Sequence, residues 1–295
     1  MAKILITGVT GGLGGATARF LKERITVEDI AVLVRDRESD SAKALANEGF
    51  ELRLGDYDNL EGLTTAFQGI ETLYFVSAND IGKRIPQHRN VVEAAKKANI
   101  KHILYTSTVR KDESSEAPLH IVVDAHVQTE NWVKQSGITY TILRHNLYAE
   151  VIPMFLGSKE QLLQSKTIYL PTGNGKTAFV PREDFAEAEA NILAAPSNYE
   201  NKVLEFNGSE QTSFEEVSKI LTKALGHPIA YVSPEVGEFE QTMASYQLPE
   251  EIIGMLVMFS LGIANGEFEQ KTDDLENVLG RKTTPISTFL EEVFA

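Results

Sequence analysis

Residues 3–15 read K-I-L-I-T-G-V-T-G-G-L-G-G, an apolar run that ends in five glycines within eight positions. The next residues place Leu13, Ala16, Phe20 and Leu21 at helical spacing. A strand that turns straight into a helix through glycine constrains this chain more than any other stretch. It dictates a β-turn-α unit at the start. It also leaves the N–H groups of the first helical turn open to an anion.

The same alternation continues. "DIAVLVR", "ELRLGD", "TLYFVSA", "HILYTST" and "TYTILR" read as buried strands. Helical segments separate them: "ESDSAKALANEG" ending at Gly49, "NLEGLTTAFQG", "PQHRNVVEAAKKANI", and "VDAHVQTENWVKQSG" closed by Gly137. Strands spaced by helices of this length build a parallel sheet covered on both faces. The expected fold class is α/β, a doubly wound parallel Rossmann sheet with a smaller, mainly helical C-terminal lobe. The rhythm breaks after Arg144. Residues 150–170 read as mostly helical, "GNGKT" as a tight loop and "KVLEFNG" as a strand. Ser213 and Glu216 have capping-box spacing, and the tail from Leu248 is helical. The expected division is a nucleotide-binding domain over 1–147, with a return segment near 178–196, and a substrate lobe over 148–295.

Gly8, Gly11 and Gly14 stand at G-x-x-G-x-x-G spacing. One glycine makes the tight turn, one lets backbone approach a pyrophosphate, and one lets helix and strand pack closely. Thr10, Gly12 and Leu13 complete the predicted cradle. The end of the second strand then selects the dinucleotide. Arg35 stands there, 21 residues past Gly14. A guanidinium clamps a 2′-phosphate, whereas a carboxylate repels it. The reading is therefore NADP(H), with Arg37 beside it. Asp36 keeps NAD open, because a shift of one residue would restore an acid at the strand end. Asp56 is placed to accept from the adenine amino group, although Asp56 or Asp58 would equally cap the next helix. Ser77 is expected under the cofactor ribose.

Composition narrows the partners. The net charge is −14 and no basic stripe is legible, which argues against nucleic acid. There is no cysteine, so thiolate metal sites and disulfides are excluded, and no metal site is expected. The longest apolar runs fall short of a membrane span, and the first strand begins by Ile4, before a leader would fit. A cytoplasmic protein, monomer or homodimer, is the expectation.

"TGVTGGLGG", "VLVRD", "LGDYDNLEGLTTAFQG", "TENWVKQSGITYTILRHNLYAE", "VPREDFAEA" and "TDDLENVLGRKTTPISTFLEE" together resemble the NmrA-like branch of the atypical short-chain dehydrogenases. Within that branch the pattern is most similar to type 2 NAD(P)H:quinone oxidoreductases and triphenylmethane reductase. Ordinary members of the superfamily protonate a carbonyl with a Tyr-x-x-x-Lys pair, commonly followed four residues later by Glu. If Glu130 is that Glu, His126 replaces the lysine and Val122 the tyrosine. Alcohol–ketone chemistry then lacks its acid. Hydride transfer to a quinone or a cationic dye tolerates the loss, because the reduced acceptor is stabilised by delocalisation or needs no proton.

The resemblance implies roles for the remaining residues. His126 donates a hydrogen bond at the ribose or nicotinamide. Thr106 and Ser107 stand beside the substrate, and Asn146 and Tyr148 at the mouth of the cleft, with Tyr148 as an aromatic wall. Lys176 reaches in from the "GNGKT" loop. Trp132 is read as core, and the stretch Ile252–Ile263 as either a lid or a core helix. The function implied is an NADPH-dependent reductase of quinones or similar flat conjugated acceptors. The alternative is a non-catalytic NADP(H)-sensing regulator of the same family.

Overall fold

The computed structural model describes residues 3–294. The first half alternates strand and helix: β1 (Ile4–Ile6), α1 (Gly12–Lys22), β2 (Ile30–Val34), α2 (Asp40–Asn47), β3 (Glu51–Leu54), α3 (Leu60–Ala66), β4 (Thr72–Phe75), α4 (Arg84–Lys97), β5 (His102–Thr108), α5 (His120–Gln135) and β6 (Thr139–His145). Then follow α6 (Val151–Leu156), α7 (Lys159–Ser165), β7 (Thr167–Tyr169), β8 (Lys176–Thr177), α8 (Arg182–Ala194), β9 (Lys202–Phe206), β10 (Thr212–Ser213), α9 (Phe214–Leu225), β11 (Ala230–Val232), α10 (Val236–Ser245), α11 (Glu250–Ala264), α12 (Asp274–Leu279) and α13 (Ile286–Phe294).

Seven strands form one parallel sheet in the order β3-β2-β1-β4-β5-β6-β9. Strands β1, β2 and β4 are buried along their whole length, as a sheet with both faces covered requires. The strand order reverses between β1 and β4, which opens a crevice at their carboxyl ends.

The chain's return to this sheet is larger than expected. Helix α8 packs on α1, as "REDFAEAEANILAA" suggested. In addition β9, which the sequence reading left in the lobe, extends the sheet beside β6, and α12 packs against α8 and β9. The pattern of a lone buried strand carries no record of which sheet it joins.

The other elements build the lobe around a second apolar cluster that includes Leu119, Ile152, Phe179, Phe214, Phe239, Leu256 and Phe289. Ser213 and Glu216 form the expected capping box at the start of α9. Helix α11, the stretch left open between lid and core, belongs to this cluster through Ile253, Leu256 and Ile263. Gly262 lets it touch α5: a Cβ there would fall 2.7 Å from Leu119 Cδ1. Trp132 packs beside the core under the opposite face of the sheet, as read. Among the described residues, no helix is long and apolar enough to cross a membrane.

Candidate functional site

Four features converge at the carboxyl end of β1. Gly8 has φ +65, and a Cβ on it would meet Val76 at 2.9 Å. A Cβ on Gly14 would lie 2.6 Å from the Thr7 carbonyl oxygen and 2.7 Å from that of Gly8. Both glycines are therefore required by backbone geometry. Helix α1 begins at Gly12, after Gly11 as N-cap, with no side-chain cap and no acid in its first turn. Its opening N–H groups face the crevice unneutralised, which is what a pyrophosphate needs. Gly8, Thr10, Gly11 and Gly12 are exposed. Leu13 turns its side chain into the core, so only its backbone is available.

The second strand ends at Val34, and Arg35, Asp36 and Arg37 are all exposed. Asp36 accepts the Glu38 N–H at 2.8 Å, and Arg37 donates to the Leu52 carbonyl at 3.2 Å. No described residue pairs with Arg35. The acid that kept NAD open is engaged in a local turn, and the unpaired charge is the guanidinium. The set fits a dinucleotide that carries a 2′-phosphate. Asp56 closes its own turn by accepting from the Asp58 N–H at 2.9 Å, and Asn59 caps α3. The cap expected from Asp56 or Asp58 thus falls one residue later.

Ser77 and Thr106 meet across the ends of β4 and β5: the Ser77 N–H donates to Thr106 Oγ1 at 2.9 Å. Ser107 donates to Glu130 Oε1 at 2.7 Å. Glu130 is the centre of a buried ionic knot, with Arg110 at 2.6 Å and Arg144 at 2.9 Å. Burial pushes its carboxyl up, but the Arg110 and Arg144 guanidiniums and Ser107 more than offset this and hold it well below the usual carboxylate range. Ser107 is thereby turned inward.

His126 differs from its expected role. Both its nitrogens are engaged inside the protein, Nδ1 with the Tyr105 hydroxyl at 2.8 Å and Nε2 with Arg84 Nη1 at 3.4 Å. A guanidinium only donates, so Nε2 accepts and the proton sits on Nδ1. His88 beside it is fixed the same way: the Ala78 N–H donates to Nε2 at 2.9 Å, and Nδ1 lies 2.9 Å from Thr129 Oγ1. Burial, then Arg84, lowers His88 to about 3. Burial, then Arg84 and His88, holds His126 well below its ordinary value. His126 therefore stays neutral and has no N–H left for the cleft. The cation beside His126 is Arg84, whose Nε donates to the Ala78 carbonyl at 2.7 Å. "GKRIPQHR" carries no local signal that this arginine is buried; the packing of α4 against α5 decides it.

Asn146 is also redirected. It is only 2 % exposed, and its amide donates to Asn207 Oδ1 at 2.7 Å and to the Phe268 carbonyl at 3.0 Å. It ties β6 to β9 and the lobe and does not line the mouth of the cleft. Lys176 lies in the lobe, 3.7 Å from Glu216. Tyr148, expected as an aromatic wall, is half-buried after β6, with the Arg182 guanidinium 4.9 Å above its ring. Arg182 also flanks the glycine turn, its Cδ 3.4 Å from where a Gly12 Cβ would stand. Among the described residues, no cluster of His, Asp and Glu is placed to hold a metal.

Comparison with known proteins shows which family shares this fold. The NmrA-like family matches residues 1–291. Quinone oxidoreductase 2 of Escherichia coli is 33% identical over 291 residues, covering 99% of this chain and 98% of that protein. Its structure as an NADPH complex superposes with a TM-score of 0.90, covering 99% of this chain and 100% of that one. Triphenylmethane reductase of Citrobacter sp., solved with NADP(H), is 30% identical with a TM-score of 0.89 and 99% of each chain covered. The negative transcriptional regulator Nmra, at 16% identity and a TM-score of 0.77 over 100% of this chain and 96% of its own, shares the fold alone. With its glycine cradle, its seven-stranded sheet and a match along nearly its whole length, this chain belongs to the NmrA-like family.

Proposed function

We propose that this protein is an NADPH-dependent reductase that passes hydride to a quinone or a similar flat conjugated acceptor. One observation carries the reading: an intact cradle with an unpaired Arg35 stands beside a helix whose acid position is Val122. The cofactor is held, but the usual acid for ketone chemistry is missing. When bound, a nicotinamide supplies hydride, and the protein holds it against the acceptor. The backbone of residues 8–14 and the α1 N-terminus hold the pyrophosphate, and Arg35 holds the 2′-phosphate. Arg84, buried beside neutral His126, presents positive charge where an acceptor oxygen becomes anionic. Tyr148 offers its ring edge to a planar acceptor, and the C-terminal lobe closes over it. On this reading residues 1–147, together with α8 and β9, form the cofactor unit, and the protein works in the cytoplasm as a monomer or homodimer.

The purified protein should oxidise NADPH with benzoquinone or a naphthoquinone, more slowly with NADH, and not with simple ketones. Tight NADPH binding without turnover on any quinone or dye would overturn the reading in favour of a sensor.

A further inference from the structure

A polar chain crosses the apolar core behind the end of β6. His145, 4 % exposed, places Nε2 2.8 Å from Glu189 Oε1 on α8, a residue with no exposed surface. Neither atom makes an aligned hydrogen bond, so the two groups approach closely without one between these atoms. The imidazole lies between Phe185, at 4.3 Å and 15°, and Phe206, at 5.9 Å and 3°. The other carboxyl oxygen, Oε2, accepts from Thr17 at 3.2 Å and from the Tyr74 hydroxyl. On the opposite side, His145 Nδ1 lies 3.2 Å from the Tyr148 hydroxyl.

An acid and an imidazole buried in this way are costly, and an apolar pair would serve packing better. Of its members only Tyr148 is not fully buried. Tyr148 is half-buried under Arg182, next to the glycine turn, whereas Glu189 and Tyr74 end in the core between α1, α8 and the sheet.

We propose that Tyr148 is the proton donor to the reduced acceptor and that His145 and Glu189 are positioning residues that hold the proton it passes on. The proposal rests on the quinone-reductase reading above. A quinone that has taken up hydride is a hydroquinone monoanion, and it needs one proton. The Tyr148 O–H bond breaks as a new O–H bond forms on that anion, while His145 Nδ1–H passes its proton to the Tyr148 oxygen. The step starts with protons on both Nδ1 and Nε2 of His145 and leaves a neutral Nε2–H imidazole beside the Glu189 carboxylate; the Nδ1 proton is refilled from water through Tyr148 after the product leaves. The sum is one NADPH, one quinone and one proton giving NADP⁺ and hydroquinone. The pair is needed because burial, then Glu189, raises Tyr148 above the ordinary phenol range, against the pull of Arg182 and Arg84. A stranded phenolate is disfavoured there, so its proton must be replaced as it leaves.

Two acceptors separate this role from a structural one. A quinone needs hydride and a proton, whereas a cationic triphenylmethane dye needs hydride alone. Single-turnover rates with both should show the quinone-to-dye ratio falling about a hundredfold in Tyr148→Phe and about tenfold in His145→Asn and Glu189→Gln. Misfolding lowers both rates and leaves the ratio intact. An unchanged ratio in all three variants overturns the proposal. A second readout uses the protein without cofactor: ¹⁵N NMR of the His145 ring, assigned by its loss in His145→Asn. A proton on Nδ1, with a signal that moves in Glu189→Gln, supports the relay. A ring protonated at Nε2 alone and insensitive to Glu189→Gln overturns it. If the wild type reduces neither acceptor, the reductase reading fails, and the NMR result decides whether the pair holds a proton facing Tyr148.

Discussion

Arg84 Nη1 stands 3.4 Å from His126 Nε2, and both side chains are buried, at 8 % and 5 % exposure. At this point a neutral imidazole is backed by a guanidinium. Charge at this point comes from α4 instead of α5. Arg84→Met should therefore lower kcat for quinone reduction by about a hundredfold, comparable to loss of an oxyanion donor. NADPH affinity, set by residues 8–14 and Arg35, should change little. Stopped-flow turnover and fluorescence titration separate the two.

Cofactor choice is expected to follow Arg35. Removing an unpaired guanidinium from a 2′-phosphate forfeits about 1.5–3 kcal/mol, or roughly a tenfold to hundredfold loss of affinity. Arg35→Ala should weaken NADPH binding by that factor and leave NADH binding within about twofold of the wild type. Equal losses for both cofactors, measured by calorimetry, would place the adenosine end elsewhere.

The glycines of the cradle should differ sharply in tolerance. Gly14→Ala drives a methyl into two backbone carbonyls and should cost about 1–3 kcal/mol of stability as well as NADPH binding. Gly12→Ala meets only the flexible Arg182 side chain at 3.4 Å, so the fold should hold. Urea unfolding with and without NADPH tests both.

The buried histidines make the fold acid-sensitive. His88 is lowered to about 3, against an unfolded value near 6.5, so the unfolded chain binds more protons between those limits. Its stabilising contribution is complete above about pH 6.5 and is lost as pH falls towards 3. From pH 7 to 5 the loss is roughly 2 kcal/mol for this one group. His88→Asn should flatten the urea-unfolding free energy across that interval, although the variant is less stable at pH 7.

Glu130 acts in a lower window. Its carboxyl is held below the usual range, so its contribution is present above about pH 4.5 and disappears as pH falls further. Glu130→Gln removes the buried anion that Arg110 and Arg144 share, leaving them only the more exposed Glu113 and Glu205 at 2.8 and 3.2 Å, and should cost up to about 3–5 kcal/mol. The shift in the urea midpoint at pH 7 measures it.

Local pattern determined the β-α alternation, the glycine cradle and Arg35 at the end of the second strand. Each of these is written in neighbouring residues: period-2 or period-3.6 burial, a glycine where no Cβ fits, a charge where a strand stops. The tertiary structure decided what neighbours cannot encode. Asn146 and His126 have the residue types of a cleft, but their hydrogen-bond partners, Asn207, Phe268, Tyr105 and Arg84, lie 21 to 122 positions away and draw them inward. Arg84, His145 and Glu189 showed no local sign of a site. Their chemistry exists because α4 meets α5, and because α8 returns across α1 to bring a carboxylate beside the last residue of β6. A buried charge is a property of what surrounds it, and those surroundings are assembled only when the chain folds.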